Sequence, residues 1–165
     1  MKISLATAAH LHTINHLIES AKDIMRKDGN TEQWTNGYPS YHDIMADIKA
    51  QAGFLVMEET KPVGYFALYA GPEVCYKHIH HGSWIDDKTP YGVIHRIASL
   101  PQAHGVLNAI LQYANNHYNN LRIDTHRDNH IMQHCLSKHG FTLCGIIHLS
   151  DGKERLAYQR VTNHV

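Results

Sequence analysis

The segment from Val93 to Phe141 constrains this chain more than any other part of the sequence. A strand-like run at Val93–Ser99 leads into the turn Leu100–Val106, and an amphipathic helix follows the turn. A second strand and a short helix, which closes at Gly140-Phe141, come next. A turn that ends in glycine and opens a helix presents backbone N–H groups that bind phosphate oxygens. The sequence therefore predicts a site for a phosphorylated ligand.

Composition limits the classes of protein to consider. A chain of 165 residues with 43% hydrophobic and 18% charged residues fits one globular domain, residues 1–165. Lys and Arg number 15, as do Asp and Glu, so no overall field favours nucleic acid or an anionic membrane. The N-terminal residues lack the long apolar run that is typical of a signal peptide, and no run has the roughly 18 apolar residues of a membrane span. The three cysteines have no paired short spacing. We expect a cytoplasmic protein without nucleic-acid or membrane partners, and we allow for a homodimer.

Histidine is over-represented, with 16 residues. Histidine titrates near pH 6.5, so mild acid would add much positive charge. The cluster Lys77–His81 places histidines at alternate positions of a short predicted strand but lacks the paired ligands of a structural zinc site. We therefore predict no functional metal site and treat these histidines as replacements for other polar surface residues.

Hydrophobic periodicity divides the chain into alternating helical and strand-like segments. Ser40, three residues before Asp43, predicts the N-cap of a second helix. The predicted helices are 11–25, 41–50, 105–118 and 129–139, and the predicted strands are 54–57, 63–69, 75–79, 93–99, 121–125, 141–149 and 155–161. This order indicates an α+β fold.

The loop Gln33–Pro39 carries two large aromatic residues, Trp34 and Tyr38, among turn-forming residues. Aromatic side chains on a loop either line a binding site or close the edge of a core, and the sequence leaves both open. We select Trp34 and Tyr38 as candidates for binding a substrate.

Two motifs at a fixed separation indicate a family. The turn Gln102-Ala103-His104-Gly105-Val106-Leu107, followed by a helix that opens at Asn129 and closes at Gly140-Phe141, resembles the GNAT family of acetyl-CoA-dependent N-acetyltransferases. Gln102 and Gly105 match the family's turn, whereas Leu107 stands in place of its last small residue. In the second motif Met132 replaces an alanine and Leu136 replaces a tyrosine.

The resemblance implies a mixed, mostly antiparallel twisted sheet flanked by helices, in a single domain spanning 1–165. It also implies acetyl-CoA as co-substrate and a small-molecule or peptide amine as acceptor. The pantetheine arm would lie beside Ile97, Ala98 and Ser99, and residues Gln102, Ala103, His104, Gly105, Val106 and Leu107 would enclose the pyrophosphate. Asn129 would contact the pantetheine arm, cap its helix, or do both.

Direct transfer needs a base that deprotonates the amine and a proton for the leaving thiolate. The family's tyrosine often supplies that proton, and Leu136 cannot. The candidates for acid–base chemistry are His126, His95 and Tyr91, with His126 first because a neutral imidazole suits a base near pH 7. Two alternatives stay open at this point: a non-catalytic acyl-CoA-binding sensor with the same fold, and a metal-binding protein built around the histidine cluster.

Overall fold

Seven strands and four α-helices occur in residues 1–163, which are the residues that a computed structural model of this chain describes. The strands are β1 Lys2–Leu5, β2 Gly53–Glu58, β3 Lys61–Ala70, β4 Gly92–Ser99, β5 Asn120–Thr125, β6 Thr142–His148 and β7 Glu154–Val161. The helices are α1 Leu11–Lys27, α2 Tyr41–Lys49, α3 Val106–Asn115 and α4 His130–Lys138. The predicted α+β class and the four predicted helices are confirmed.

The strands form one sheet in the order β1-β2-β3-β4-β5-β7-β6. Every neighbouring pair is antiparallel except β4 and β5, which run parallel. That parallel pair joins residues at two positions, Gly92 with Leu121 and Val93 with Arg122. Beyond Val93 the two strands separate, and a gap opens in the middle of the sheet.

The helices cover opposite faces of the sheet. Phe54 lies opposite Phe66 in the β2–β3 pair, and both rings contact Tyr113 of α3. Side chains of neighbouring residues in a strand point to opposite faces, so Leu55 and Tyr65, the next pair along, face away from α3. Tyr65 there meets Asp47 of α2. Helix α3 therefore covers one face of the sheet and α2 covers the other.

A capping box that the sequence predicted defines the start of α2. The side chain of Ser40 accepts a hydrogen bond from the backbone N–H of Asp43, and the Asp43 carboxylate accepts one from the Ser40 N–H at 2.7 Å. This reciprocal pair satisfies two amide groups that the first turn of α2 would otherwise leave without partners.

The region before β4 differs from the sequence prediction. The prediction of a strand at residues 75–79 is wrong. Val74–Tyr76 form a 3₁₀ turn, and an isolated β-bridge joins His80 to Ile146. Tyr76 is buried against Trp84, and its hydroxyl reaches Asp124, which anchors the segment through side chains instead of a ladder. The sequence reading also missed the short edge strand β1.

Within residues 1–163, no three His, Cys, Asp or Glu side chains are grouped so that they could hold a metal ion. In the same part of the chain, no helix has the length and apolar character needed to cross a membrane.

Asp47 of α2 connects that helix to the central strands. Its carboxylate is fully buried and accepts hydrogen bonds from the hydroxyls of Tyr65 and Tyr69, both at 2.6 Å, and from Arg96 through Nε at 2.8 Å and Nη2. A buried carboxylate is stable when a cation and hydrogen-bond donors surround it, and removing one partner of such a pair leaves an uncompensated charge.

We predict that Asp47→Ala lowers the free energy of unfolding by about 3–5 kcal/mol, because the guanidinium of Arg96 loses its counterion. Chemical denaturation measures this loss. The matched control is Asp23→Ala, which removes an exposed partner of Arg26 and should cost less than about 1 kcal/mol. Equal losses in the two variants would contradict the role given to Asp47.

Candidate active site

The gap between β4 and β5 opens into a cavity of about 470 Å³. Its walls come from both separated strands, from the loop before α2, from the start of α4 and from the β6–β7 hairpin. The residues that line it include Gln33, Trp34, Tyr38, Glu73, Cys75, His95, Arg96, Ile97, Asp124, Asn129, Asp151, Lys153 and Arg155. Backbone and side chains of distant segments thus meet at the place where the sheet is open.

A bulge in β4 lies beside this gap. Ala67 pairs with His95 and Tyr65 with Ala98, so Phe66 alone lies opposite two residues of β4. One of the two is Arg96, whose φ of +56° is in the left-handed region. A bulge bends its strand and increases the local twist, and here it accompanies the divergence of β4 from β5.

Arg96 links the bulge to the loop that carries the predicted substrate residues. Its Nη1 donates to the hydroxyl of Tyr38 at 2.9 Å, while Nε and Nη2 donate to Asp47. Burial by itself lowers the pKa of Arg96, but the hydrogen bonds to Asp47 outweigh it and the net pKa is raised. Arg96 is therefore a fixed cation that holds the Tyr38 ring at the cavity.

The turn before α3 has the conformation that its glycine allows. Gly105 is the N-cap of α3 with φ of +81°, and a Cβ built at this position would have open space around it. The backbone N–H groups of Val106 and Leu107 find no acceptor among residues 1–163. Unpaired amides at a helix N-terminus attract anions through hydrogen bonds and the helix dipole, so this turn has the properties of a phosphate site.

Asn129 is the N-cap of α4, and it also faces the cavity. Its Oδ1 accepts from the Met132 N–H at 3.1 Å, and its Nδ2 donates to Oε1 of Gln33 at 2.9 Å. The same Gln33 oxygen accepts from the side chain of Asn30 at 3.0 Å. Sequence reasoning missed Gln33, because a glutamine in a loop carries no signal of a partner almost one hundred residues away.

The structure brings together some of the predicted site residues. Trp34, Tyr38, His95, Ile97 and Asn129 line the cavity. Ala98 and Ser99 end β4, and the residues Gln102 to Leu107 lie between that end and the first turn of α3.

Two predicted acid–base candidates do not line the cavity. The Tyr91 hydroxyl accepts from the Glu73 N–H at 2.8 Å, and its ring packs against the guanidinium of Arg122 at 3.8 Å. Nδ1 of His126 accepts from the Asp128 N–H at 3.0 Å. The neutral ring of His126 therefore carries its proton on Nε2 and has no free lone pair with which to accept another.

His95 has a different environment. Its ring lies near that of Tyr69, with centroids 6.3 Å apart, and neither ring nitrogen forms a hydrogen bond with residues 1–163. Burial lowers the pKa of His95, and the carboxylate of Asp124 offsets this only in part. At neutral pH the ring is uncharged, with a lone pair available toward the cavity.

Charged residues that the sequence reading did not select complete the walls. Asp124 accepts from the Tyr76 hydroxyl at 2.7 Å, and Lys153 donates to Oγ1 of Thr35 at 3.2 Å. Arg155, on β7, donates to the backbone carbonyl oxygen of Gln33 at 3.0 Å. The sequence carries no distinct signal for Asp124 or Arg155, because β5 also carries Asn120 and Arg122, and β7 also carries Glu154, Gln159 and Arg160.

Comparison with solved structures gives the family. An acetyltransferase of the GNAT family from Streptococcus agalactiae 2603 is 34% identical, with 99% of this chain and 96% of that one aligned and a TM-score of 0.89. The protein belongs to the GNAT family. A GNAT acetyltransferase from Listeria monocytogenes 4b F2365 shares the fold at 17% identity, 97% and 94% coverage and a TM-score of 0.69. The NatB acetyltransferase complex bound to CoA and MES does so at 12% identity, 99% and 100% coverage and a TM-score of 0.63.

Neither a protein-family model nor a curated protein sequence matches this chain. As a GNAT protein it has the expected order of elements but an altered second motif. Leu136 of α4 is completely buried in the main hydrophobic cluster with Ile123, Phe141 and Tyr158. The position where the sequence comparison expects a tyrosine is therefore part of the core in this GNAT protein.

Proposed function

We propose that the protein is an acetyl-CoA-dependent N-acetyltransferase that transfers the acetyl group directly to a primary amine of a small molecule or peptide. The observation that carries this proposal is the open edge of β4. From Ile94 onward, β4 has no partner on its β5 side among the described residues, and the strand leads directly to the unpaired amides of α3. A CoA molecule has a peptide-like arm and a pyrophosphate, which suit these two features in this order.

In the proposed complex, the pantetheine arm lies beside Ile97, Ala98 and Ser99 as an added strand. The pyrophosphate lies against the turn Gln102–Leu107, where the helix dipole and the amides stabilise its charge. Asn129 both caps α4 and lines the cavity near the acyl end. The CoA in the NatB structure supports a CoA site in this fold.

The same proposal treats residues 1–165 as one acetyltransferase domain, of which residues 164 and 165 lie outside the described part of the structure. A cytoplasmic location and a homodimer remain expectations drawn from the sequence.

The direct reaction needs an uncharged amine, and His95 is the group that we propose as general base. Its neutral ring faces the cavity, whereas His126 uses Nδ1 for the Asp128 amide. His95 takes the proton from the amine as the nitrogen attacks the thioester carbonyl. The C–S bond then breaks, so the products are the N-acetylated amine and CoA.

Acetyl-CoA turnover, followed by release of free thiol across a panel of primary amines, tests the proposed function. Thiol release that depends on the amine supports the enzyme. Binding of acetyl-CoA without turnover of any amine favours the sensor alternative, and absence of CoA binding contradicts both.

We predict that Gly105→Glu abolishes CoA binding in isothermal titration calorimetry, since a carboxylate would face the pyrophosphate. The control is Gly29→Glu, because Gly29 has a φ of +84° and open space around it but lies after α1. The two variants carry similar backbone strain. Wild-type affinity in Gly105→Glu would show that the phosphate site is misassigned.

We predict that His95→Gln lowers kcat/KM by about 10²- to 10⁴-fold, the usual contribution of a general base. The base acts when neutral, and burial lowers the pKa of His95. In the wild type, activity should therefore decline on the acidic side only below about pH 6.5, the ordinary value for histidine.

A pH profile of kcat/KM for both histidine variants checks the choice of base. His126→Gln should keep the acidic limb that His95→Gln removes. The reverse result, with the limb lost in His126→Gln and kept in His95→Gln, would reject His95 as the base.

A further inference from the structure

We propose that the acceptor is an amine that also bears a carboxylate, such as a free amino acid, and that Arg155 with Lys153 binds this carboxylate. This inference rests on the proposed function, because it describes the acceptor side of the same cavity. The observation behind it is a buried cation that faces the cavity without an acidic partner.

Arg155 is only 6% exposed, yet it lines the cavity. Its guanidinium donates to two backbone carbonyl oxygens, those of Glu154 and Gln33, both at 3.0 Å. No carboxylate of residues 1–163 lies within 4.0 Å of it. A buried guanidinium that lacks a counterion is costly, and its planar set of five donors matches a carboxylate.

The other cations of the cavity show why Arg155 is distinctive. Arg96 is neutralised by Asp47, with which it forms a direct ion pair. Asp124 and Asp151 act on Arg155 from beyond 4.0 Å, and burial lowers its pKa despite them. A ligand carboxylate would therefore provide the close negative charge that the protein itself does not.

Lys153 extends this positive region to the cavity rim. It lies one residue before β7, its side chain is exposed, and its Nζ reaches Oγ1 of Thr35 at 3.2 Å. This contact joins the β6–β7 hairpin to the loop that carries Trp34. The two cations thus border the same part of the cavity, one buried and one exposed.

The opposite charge needed for the amine lies on the neighbouring strand. Asp124 pairs with Ala157 of β7, two residues from Arg155, so the side chains of Asp124 and Arg155 share one face of the sheet. Tyr76 holds the Asp124 carboxylate through a hydrogen bond of 2.7 Å. An incoming ammonium group is attracted to Asp124 and first loses one proton to water. The neutral amine then attacks the thioester as His95 takes a second proton from its nitrogen, while the ligand carboxylate stays on Arg155.

Matched acceptors test this arrangement. Acetyl-CoA turnover is measured with L-amino acids and ω-amino acids and with the carboxamide of each. We expect at least one acid to have a kcat/KM about tenfold or more above that of its carboxamide, since charge-assisted hydrogen bonds are the strong ones.

Variants then locate the carboxylate. Arg155→Gln should raise the KM for the preferred acid about 10- to 100-fold and leave kinetics with its carboxamide and the affinity for acetyl-CoA near wild type. Lys153→Gln should give a smaller rise in the same direction. Arg26→Gln, an identical change at an exposed position on α1, should leave the kinetics with both the acid and its carboxamide unchanged.

Arg155→Lys keeps a cation, so this variant and the exposed Lys153→Gln provide the test if Arg155→Gln does not fold. For the preferred acid, Arg155→Lys should have a KM between those of the wild type and Arg155→Gln. If Arg155→Gln does not fold, the KM of Arg155→Lys should exceed that of the wild type for the acid but not for its carboxamide. The inference would be overturned if carboxamides were acetylated with the same kcat/KM as the acids. It would also be overturned if the variants of Arg155 lost activity equally with acids and with carboxamides. Acetyl-CoA binding without turnover of any acid also overturns it, whereas absence of acetyl-CoA binding would overturn the proposed function itself.

Discussion

The separation of β4 from β5 after two paired positions is the constraint on which the site depends. Backbone groups inside a sheet normally pair with a neighbouring strand, because an unpaired buried N–H or C=O is costly. Here the parallel pairing ends at Val93 and Arg122, and the rest of β4 faces a cavity on that side. The backbone of β4 beyond Val93 therefore has no strand partner on this side among the described residues, which is the feature that the proposed CoA site uses.

The bulge at Arg96 keeps that edge in place. A left-handed backbone at a residue other than glycine is uncommon and persists when surrounding contacts fix it. The fixing contacts are those of the guanidinium with Asp47 and with the Tyr38 hydroxyl. One side chain therefore couples α2, the curved part of β4 and the loop that borders the acceptor side, so the shape of the cavity and the stability of the fold depend on the same ion pair.

The proposed CoA side and the proposed acceptor side of the site are built from different elements. Helix α3 packs on the face of Phe54 and Phe66, and its amides lie at the end of β4. The charged residues of the acceptor side come from β5, from the β6–β7 hairpin and from the segment before β4. Arg122 anchors that segment between the rings of Trp84 and Tyr91, at 3.9 and 3.8 Å. Tyr91, selected from the sequence for chemistry, is thereby explained as a structural residue that holds the acceptor-side wall.

Local signals in the sequence were sufficient where local physics decides the structure. Periodicity located the four helices, and the caps at Ser40 and Asn129 act through residues three positions away. The short edge strand β1 carries too few residues for a clear alternation, and the segment around Tyr76 is held by contacts with Trp84 and Asp124 that no local pattern encodes.

Some features of the site likewise follow from local sequence, whereas others depend on the packing of distant segments. The turn at Gly105 is local and readable from the sequence. In contrast, the meeting of Gln33 with Asn129, and of Arg155 with the loop before α2, depends on how β5, β7 and that loop pack. The orientation of His126 likewise depends on the Asp128 amide, which is two residues away but is fixed only by the turn that the fold imposes.

The buried Leu136 cannot donate a proton to the leaving thiolate, but this does not prevent the proposed reaction. Leu136 is completely buried and belongs to the main hydrophobic cluster, so its side chain contributes to the packing of the core. The thiol of CoA is chemically close to that of cysteine, with a pKa near 8.5, so its thiolate is a tolerable leaving group at neutral pH. In the proposed reaction, the proton that His95 takes from the attacking amine is then available to the departing sulfur. A single base that accepts and then returns one proton therefore balances the reaction, and the position of Leu136 can serve packing alone.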